Sequence, residues 1–201
     1  IPGHTGKVVL SDFSNYTLNN TILRSDGQLE LGKMAIYYPA KYFDVTSTTG
    51  SEWEPDLAID SKGNIMAVWY DSRNDTADVF GQRVTSNGDR QGPEFSVGAN
   101  ENSQWYPVIS VDSNDNYIVA WEDERYIDWG IYAQRFDSYG NKNGSEIWVS
   151  DRSWDQALPA IASWPDGSSV IVWQNGSKET NLSAQILDRN GLKVGSKFNA
   201  S

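Results

Sequence analysis

The segment PVISVDSNDNYIVAWEDER, residues 107–125, continues through GIYAQRFDSYGN, residues 130–141, to SEIWV, residues 145–149. Copies of this segment lie on either side of it. Its marker residues recur 52 positions apart, with one step of 51 between the last two glutamines: Pro55, Pro107 and Pro159; Trp69, Trp121 and Trp173; Gln82, Gln134 and Gln185. The chain is therefore a repeat protein, built from a structural unit of about 50 residues.

Each copy of the repeat predicts four short β-strands. Alternating apolar and polar residues are separated by turns rich in Gly, Asn and Asp, which tolerate the positive φ that tight turns need. In the first copy the strands are expected at residues 56–60, 65–70, 79–84 and 94–97. We find no amphipathic helix pattern, so the sequence predicts an all-β protein.

The repeat is similar to one blade of a β-propeller, which has four strands. The residues that carry the likeness are Asp112, Ser113, Asn116, Trp121-Glu122-Asp123, Arg125, Ile131–Asp137, Gly140 and Asn141. They resemble the blade-type repeats of large secreted and cell-surface proteins of bacteria and archaea. The turn before the fourth strand also resembles the Asp-box of sialidase-like propellers (Ser-x-Asp-x-Gly-x-x-Trp), best at Ser25-Asp26-Gly27 and Ser138–Trp148. The resemblance implies an all-β, propeller-like array of four-stranded blades, but no particular activity.

The N-terminal residues form an incomplete copy. Lys7–Asp12 aligns with a second strand, Leu18–Leu23 with a third and Lys41–Val45 with a fourth. An apolar insertion at about residues 31–40 is expected either to cover an end of the core or to contact another chain. The expected organisation is a single β-repeat domain over residues 1–201, with a partial blade at 1–50 and full blades at about 51–102, 103–153 and 154–201.

Charge and composition exclude several classes of function. With 16 basic and 27 acidic residues the net charge is −11, which disfavours nucleic acid and anionic lipid as partners. The chain has no cysteine, so disulfides, thiolate metal sites and cysteine catalysis are absent. No window holds 18 apolar residues, so membrane insertion is not expected. His4 is the only histidine, which argues against a Ser-His-Asp triad.

Two features favour an extracellular or cell-surface location. The sequence begins Ile1-Pro2-Gly3 without Met, as expected of a matured or excised product. It also contains Asn-x-Ser/Thr acceptors, which are candidate glycosylation sites if the host attaches sugars. The acceptors are Asn15, Asn19, Asn74, Asn143, Asn175, Asn181 and Asn199.

The tryptophans divide into repeated and unrepeated ones. An aromatic residue that recurs at the repeat interval is typical of the core between blades, which is the role expected of Trp69, Trp121 and Trp173. Trp129, Trp148 and Trp164 each occur in a single repeat. Because CH-rich sugar faces stack on exposed indoles, these three are the candidates for ligand binding. The repeated pairs Asp71–Arg73 and Asp123–Arg125 are expected to be structural ion pairs.

One turn has a partial calcium-binding pattern. Asp112, Asn114 and Asn116 have the spacing of the first ligands of an EF-type loop, but no Glu follows at the twelfth position. The alternative is a plain Asx-turn, in which the carboxylate accepts hydrogen bonds from its own turn. No cofactor is expected, with calcium at this turn as the one exception left open.

The missing strand suggests a function through assembly. An unpaired strand edge demands a partner, which could come from a neighbouring chain. The sequence therefore predicts a non-enzymatic extracellular structural or adhesive module, a surface or filament subunit completed by strand exchange, with other copies, other surface proteins or glycans as partners. The expected assembly residues are Val8, Val9, Leu10, Met34, Ile36, Tyr37 and Tyr38. The alternatives are a lectin-like carbohydrate-binding propeller and a fragment of a sialidase-like glycosidase, since paired carboxylates are available among the acids.

Overall fold

The computed structural model describes residues 21–23, 29–31, 43–47, 51–98, 102–125, 129–151, 156–176 and 181–199; for residues 21–23 and 29–31 only the backbone is described. The chain divides into two compact units, residues 1–42 and residues 43–201, which are described separately. Among the described residues, no helix has the length and apolar character required to cross a membrane.

The second unit contains three four-stranded antiparallel sheets, in each of which the strands are adjacent in chain order. The first sheet comprises β3 (Glu52–Ile59), β4 (Ile65–Asp71), β5 (Asp78–Val84) and β6 (Arg90–Ser96). The second comprises β7 (Gln104–Val111), β8 (Tyr117–Asp123), β9 (Gly130–Phe136) and β10 (Ile147–Trp148). The third comprises β11 (Gln156–Ser163), β12 (Ser169–Asn175), β13 (Asn181–Leu187) and β14 (Lys193–Asn199). Each sheet is one predicted full repeat, and we refer to the sheets as the first, second and third blades.

The blades pack face to face through their apolar second strands. The first strands β3, β7 and β11 lie side by side, with β7 between the other two. Trp121 is fully buried among residues of the first blade, and Trp173 is fully buried among residues of the second. The expected role of the repeated tryptophans between blades is therefore confirmed at these two positions. Truncating such a buried indole to Ala typically costs about 3–5 kcal/mol.

The repeated glutamines explain how the fourth strand of each blade is attached. The pairing between third and fourth strands shifts at Gly81/Arg83 and again at Ala184/Ile186, which opens a bulge. Gln82 is buried there, and its Nε2 donates to the carbonyls of Arg83 and Gly92 at 2.8 and 3.2 Å. Gln134 and Gln185 bond in the same way. The amide replaces ladder hydrogen bonds that the bulge removes, because buried carbonyls need donors.

The expected Asp–Arg ion pairs are present and belong to a larger structural unit. In the second blade, Asp123 accepts hydrogen bonds from Trp121 Nε1 at 3.0 Å and from Arg125 Nε at 2.8 Å. The Arg125 guanidinium lies 3.8 Å above the Tyr132 ring and 2.9 Å from Glu146. The first blade repeats this arrangement with Asp71 and Arg73. These groups clamp the end of the second strand to the third and fourth.

The first unit is described through one hairpin. Strands β1 (Thr21–Leu23) and β2 (Leu29–Leu31) are antiparallel, with Leu23 opposite Leu29. The same separation of six residues joins Val84 to Arg90 in the first blade. The expected third strand is thus present at Thr21–Leu23, and its hairpin partner is β2.

The expected fourth strand at Lys41–Val45 is wrong for the described part of it, because residues 43–47 do not form a strand. Phe43 nevertheless occupies the place of a fourth-strand residue. A methyl group on Gly88 would collide with the Phe43 ring, just as one on Gly191 would collide with Ile147.

Candidate active site

Each first strand contains a bulge with an unusual backbone. Glu54, Tyr106 and Leu158 occupy equivalent positions and have φ of 47°, 48° and 52°. Each of them directly precedes a proline. A residue before proline favours extended conformations, and a positive φ is strained for any residue other than glycine. Strain of this kind costs about 1–3 kcal/mol per residue, and it is concentrated at functional sites.

Aromatic side chains surround the bulges of the first two blades. Tyr70 is at the centre: its ring stacks on Trp53 at 5.7 Å between centroids and meets the edge of Trp105 at 5.2 Å. Tyr106 lies 6.1 Å from Tyr70, and Trp129 lies 6.1 Å from Trp105. Trp53 and Tyr106 are 43% and 36% exposed, so their rings are accessible to a ligand. The first two blades therefore share one partly exposed aromatic surface.

Two carboxylates accompany the aromatic rings. Glu122 pairs across the strands with Trp105 and is only 3% exposed. Glu54 is exposed in the bulge of the first blade. Burial raises the pKa of Tyr70, and the nearby Tyr106, Glu54 and Glu122 raise it further. Both carboxylates therefore interact electrostatically with the same phenol. We call this set the aromatic–carboxylate cluster; it comprises Trp53, Glu54, Tyr70, Trp105, Tyr106, Glu122 and Trp129.

Glu122 has the most perturbed acid–base chemistry in the cluster. Burial raises the pKa of Glu122 to about 7, and a hydrogen bond from the backbone N–H of Leu158 opposes this shift only in part. An ordinary Glu has a pKa of about 4.3 and is ionised at neutral pH. With its pKa raised to about 7, Glu122 retains its proton to a much higher pH than an ordinary Glu, as a general acid requires. The cluster thus combines a proton donor, a second carboxylate and stacking surfaces.

The three candidate ligand-binding tryptophans lie in three different places. Trp129 belongs to the aromatic–carboxylate cluster. Trp148 is on β10, where it stacks on Tyr132 at 6.3 Å with an angle of 8° between the rings. Trp164 follows β11 in the turn to β12, at the end of the blade opposite to the cluster, and is 45% exposed. The structure therefore brings only Trp129 to the cluster.

Sequence reasoning missed Glu122, Glu54, Tyr70 and Tyr106. The available signal was the series Tyr70, Glu122 and Gln174, which occupy equivalent positions 52 residues apart. A buried carboxylic acid at one position of an otherwise neutral series is costly unless it is paired or has a function. The repeat pattern drew attention to shared residues, whereas the chemistry lies in residues that differ between blades.

The predicted calcium ligands form an Asx-turn. Oδ1 of Asp112 accepts hydrogen bonds from the backbone N–H of Asn114 at 2.8 Å and of Asn116 at 2.9 Å. Oδ2 of Asp112 accepts from Asn116 Nδ2 at 3.0 Å. Within the described residues, no group of three or more His, Asp or Glu side chains is arranged to hold a metal ion. Calcium binding at this turn stays a prediction.

The remaining predicted sites concern glycosylation and assembly. The acceptors Asn74, Asn143, Asn181 and Asn199 are exposed. The Oδ1 atom of Asn175 is buried without a hydrogen-bond partner, so this side chain faces inward. The other acceptors, Asn15 and Asn19, lie outside the described residues. So do all the expected assembly residues: Val8, Val9, Leu10, Met34, Ile36, Tyr37 and Tyr38. Glycosylation and self-association therefore stay predictions.

Comparison with known proteins gives a fold but no family. No protein-family model matches the chain, and no curated protein matches its sequence. Among solved structures, an endo-arabinase from Bacteroides thetaiotaomicron is similar with a TM-score of 0.50 and 12% identity, over 84% of this chain and 64% of the other. An endo-1,4-beta-xylanase from the same organism is similar with a TM-score of 0.51 and 11% identity, over 84% and 66%.

The chain is an all-β, propeller-like array of four-stranded blades. It spans somewhat less than two thirds of the length of these two enzymes, which are glycoside hydrolases. At such low identity the likeness concerns the fold. It nevertheless agrees with the four-stranded repeats, and the predicted fold class is confirmed.

The comparisons correct the expected function. The prediction of a non-enzymatic structural or adhesive module, assembled by strand exchange, is wrong, because the solved structures that share this fold are glycoside hydrolases. The prediction that the chain is not an enzyme is wrong for the same reason. The first rested on the missing strand of the N-terminal copy and the second on the single histidine and the absence of cysteine; neither observation carries information about carboxylates that occur in one blade only. The alternative of a glycosidase fragment fits these findings better.

Proposed function

We propose that the chain is a piece of a carbohydrate-active propeller, which binds a polysaccharide at the aromatic–carboxylate cluster and hydrolyses it with Glu122 as the general acid. The observation that carries the proposal is the buried carboxyl of Glu122, with a pKa of about 7, beside exposed aromatic rings. A carboxylic acid kept neutral by an apolar environment is the usual proton donor in glycoside hydrolysis.

The proposed reaction uses two carboxyl groups. Glu122 gives its proton to the glycosidic oxygen as the bond between that oxygen and the anomeric carbon breaks. A water molecule adds to the anomeric carbon, and its proton passes to the carboxylate of Glu54. The two acids then exchange protons with solvent and return to their starting states. Trp53 and Tyr106 bind the sugar rings by stacking, which holds the scissile bond near both acids.

A neutral polysaccharide is the substrate class that best matches the charge of the chain. The net charge of −11 repels uronate-rich and sulfated polymers. Arabinan and xylan, the polymers named by the two similar enzymes, are neutral and are the first substrates to test. The proposal includes the expected extracellular or cell-surface location, because polysaccharides such as arabinan and xylan are degraded outside the cell.

The decisive experiment measures hydrolysis and binding with one panel of neutral oligosaccharides of three to six sugars, made from arabinan, xylan, glucan, mannan and galactan. Glu122→Gln is expected to lower kcat by about 100-fold or more, which is the usual contribution of a general acid. Glu124→Gln is the matched control, because Glu124 lies two residues away and is exposed. The rate kcat should decline above pH 7 in the unmodified protein, as Glu122 loses its proton.

A second candidate function is carbohydrate binding without hydrolysis. The exposed rings of Trp53 and Tyr106 favour it, because they would stack on a sugar whether or not Glu122 donates a proton. Binding that Trp53→Ala abolishes, with no turnover of any member of the panel, would support this lectin-like function. Absence of both binding and turnover would overturn both candidates.

A further inference from the structure

Trp164 interrupts the repeat at a position where the fold has no need of it. The residues at equivalent positions in the first two blades are Asp60 and Asp112. Asp60 accepts hydrogen bonds from the backbone N–H groups of Lys62 and Asn64 at 2.9 and 2.8 Å, and Asp112 bonds in the same way. These bonds close the turn between first and second strands. An indole can accept neither bond, so the third blade gives up this stabilisation.

The third blade keeps the backbone hydrogen bond that closes this turn in the other two blades and supplies a different side-chain acceptor. The backbone N–H of Trp164 donates to the carbonyl of Ser168 at 2.8 Å. Asp166 Oδ1 accepts from the backbone N–H of Ser168 at 3.0 Å and from its hydroxyl at 2.6 Å. Gly167 adopts a φ of +88°, which suits glycine in a tight turn. The turn is therefore re-closed around the tryptophan.

The neighbouring blade fixes this turn in place. The hydroxyl of Ser113, in the equivalent turn of the second blade, donates to the carbonyl of Pro165. A methyl group on Gly167 would collide with Asp112 Oδ2, so the two turns are in close contact. The indole is consequently held by a rigid support, and a ligand that stacks on it would not have to order a loop. Preorganisation of this kind favours binding.

The surroundings of Trp164 suit a sugar. The indole is 45% exposed and borders a shallow concavity of about 440 Å³, together with Pro165, Asp166, Ser168 and Ile186. Ligand sites are commonly about 300–1,000 Å³. Arg189 lies close to Gly167 and interacts electrostatically with Asp166. An exposed indole that shares a concavity with a carboxylate and a hydroxyl, with Arg189 on the adjacent turn, offers an apolar face and hydrogen-bonding groups together.

We propose that Trp164 is the platform of a second saccharide-binding site, which takes one or two neutral sugar units at the end of the third blade opposite to the aromatic–carboxylate cluster. The indole stacks on the CH face of a pyranose, and Asp166 and Arg189 bond to its hydroxyl groups. This inference does not depend on hydrolysis at the cluster. In a polysaccharide-active protein, such a site would hold the polymer on the surface.

The repeat itself supplies the matched variants. Trp164→Asp restores the residue of the other two blades and with it the turn-closing acceptor, so this variant is expected to fold at least as well as the parent. Trp164→Ala removes the ring without that compensation. If both variants lose binding equally, the loss reflects the missing ring and not a disturbed fold. Far-ultraviolet circular dichroism and thermal unfolding would confirm that each variant is folded.

The experiment follows individual tryptophans by ¹⁹F NMR of the 5-fluorotryptophan-labelled chain, assigned by single Trp→Phe substitutions. The probes are the same neutral oligosaccharides. The expected result is a saturable shift of the Trp164 signal with at least one of them. Because the variants lack the Trp164 signal, isothermal titration calorimetry compares them with the parent. Trp164→Asp and Trp164→Ala should each raise the Kd for that oligosaccharide at this site by at least 10-fold. A Trp164 signal unmoved by every oligosaccharide at 10 mM concentration, or an unchanged Kd in both variants, would overturn the proposal.

The same spectra distinguish this proposal from the proposed function. A shift of Trp164 without any shift of Trp53 and without hydrolysis would leave the second site standing and would overturn activity at the cluster. A shift of Trp53 together with hydrolysis, but without any shift of Trp164, would support activity at the cluster and would overturn the second site. Arg189→Gln gives a further check: it should weaken binding at Trp164 severalfold and leave the Trp53 signal as it is.

Discussion

The carboxylate of Glu122, on the second blade, accepts a hydrogen bond from the backbone N–H of Leu158, in the bulge of the third blade. The bond crosses the boundary between two blades and ends at a residue with φ of 52°. A buried acid is thereby held at a point where both neighbouring sheets determine its position. The backbone N–H of Leu158 is available for this bond because the bulge takes the residue out of the regular strand pairing.

Glu122 makes stability depend on pH in a direction opposite to most carboxylates. Because its pKa is about 7 in the folded chain and lower in the unfolded chain, the folded state binds the proton more tightly. The contribution of Glu122 to folding stability is therefore fully present below the pKa that Glu122 has in the unfolded chain, and it is lost as the pH rises through about 7. Between pH 4 and pH 8.5, the parent should lose about 3 kcal/mol of unfolding free energy relative to Glu122→Gln, which has no carboxyl group to ionise. Urea unfolding across this range measures it; a difference independent of pH would contradict it.

The clamp of the second blade can be tested with residues that the third blade already uses. Arg125→Ser leaves the buried Asp123 without its cation and should cost about 3–5 kcal/mol in unfolding free energy. The double variant Asp123→Asn, Arg125→Ser copies Asn175 and Ser177 and should cost less than the single variant, because no buried charge remains unpaired. Chemical denaturation of the parent, both single variants and the double variant checks this. A double variant that is less stable than Arg125→Ser would rule out the explanation.

Both a smaller residue and glutamate at position 134 are expected to destabilise the fold. Its Nε2 donates to the carbonyls of Arg135 and Gly144 at 2.8 and 3.2 Å. Gln134→Ala removes the amide donor to the carbonyl of Gly144 and one of the two donors to the carbonyl of Arg135, which also accepts from the backbone N–H of Asn143, and should cost about 1–3 kcal/mol. Gln134→Glu replaces the donor with an acceptor and should cost more at pH 7 than at pH 4, where the acid is protonated. Equal costs at both pH values would show that the amide donor has no role.

Two glycines provide a matched test of the Phe43 contact. Gly88 and Gly92 have φ of +87° and +76°, so alanine is strained at both, but only at Gly88 would the added methyl group meet Phe43. Gly92→Ala should cost about 1–2 kcal/mol through the backbone alone. Gly88→Ala should cost about 1–3 kcal/mol more, through collision with the ring. In a Phe43→Ala background the two glycine variants should become equivalent in thermal unfolding. A persistent difference would mean that Phe43 is not the neighbour that matters.

The predicted repeats were accurate where shared residues decide the structure. The runs Ile65–Asp71 and Tyr117–Asp123 became second strands, because apolar residues that recur at a fixed interval must pack against each other. The first strands began four residues earlier than expected, at Glu52 and at Gln104. The expected strand began after the proline, whereas a bulge accommodates the proline within the strand.

Most residues of the candidate site could not be predicted from the sequence. Glu122 becomes unusual because it is buried beside Trp105 and bonds to a residue 36 positions away on another blade. Neither its burial nor that contact follows from the spacing of residues within one repeat. Trp164 was identifiable, because its departure from the repeat is visible in the sequence. Its location at the opposite end from Trp129 required the register of the strands.

The glutamine-filled bulge divides each outer strand into two short pairings that are independent of each other. In the second blade one of these consists of the single bridge between Phe136 and Lys142, and the other of Ile147–Trp148. Loops of different length can therefore be accommodated between the third and fourth strands of each blade, which we call the rim, while the three inner strands keep their alignment. The rim is thus where such a protein can acquire new surfaces during evolution, or by grafting in the laboratory, without renewed selection for folding.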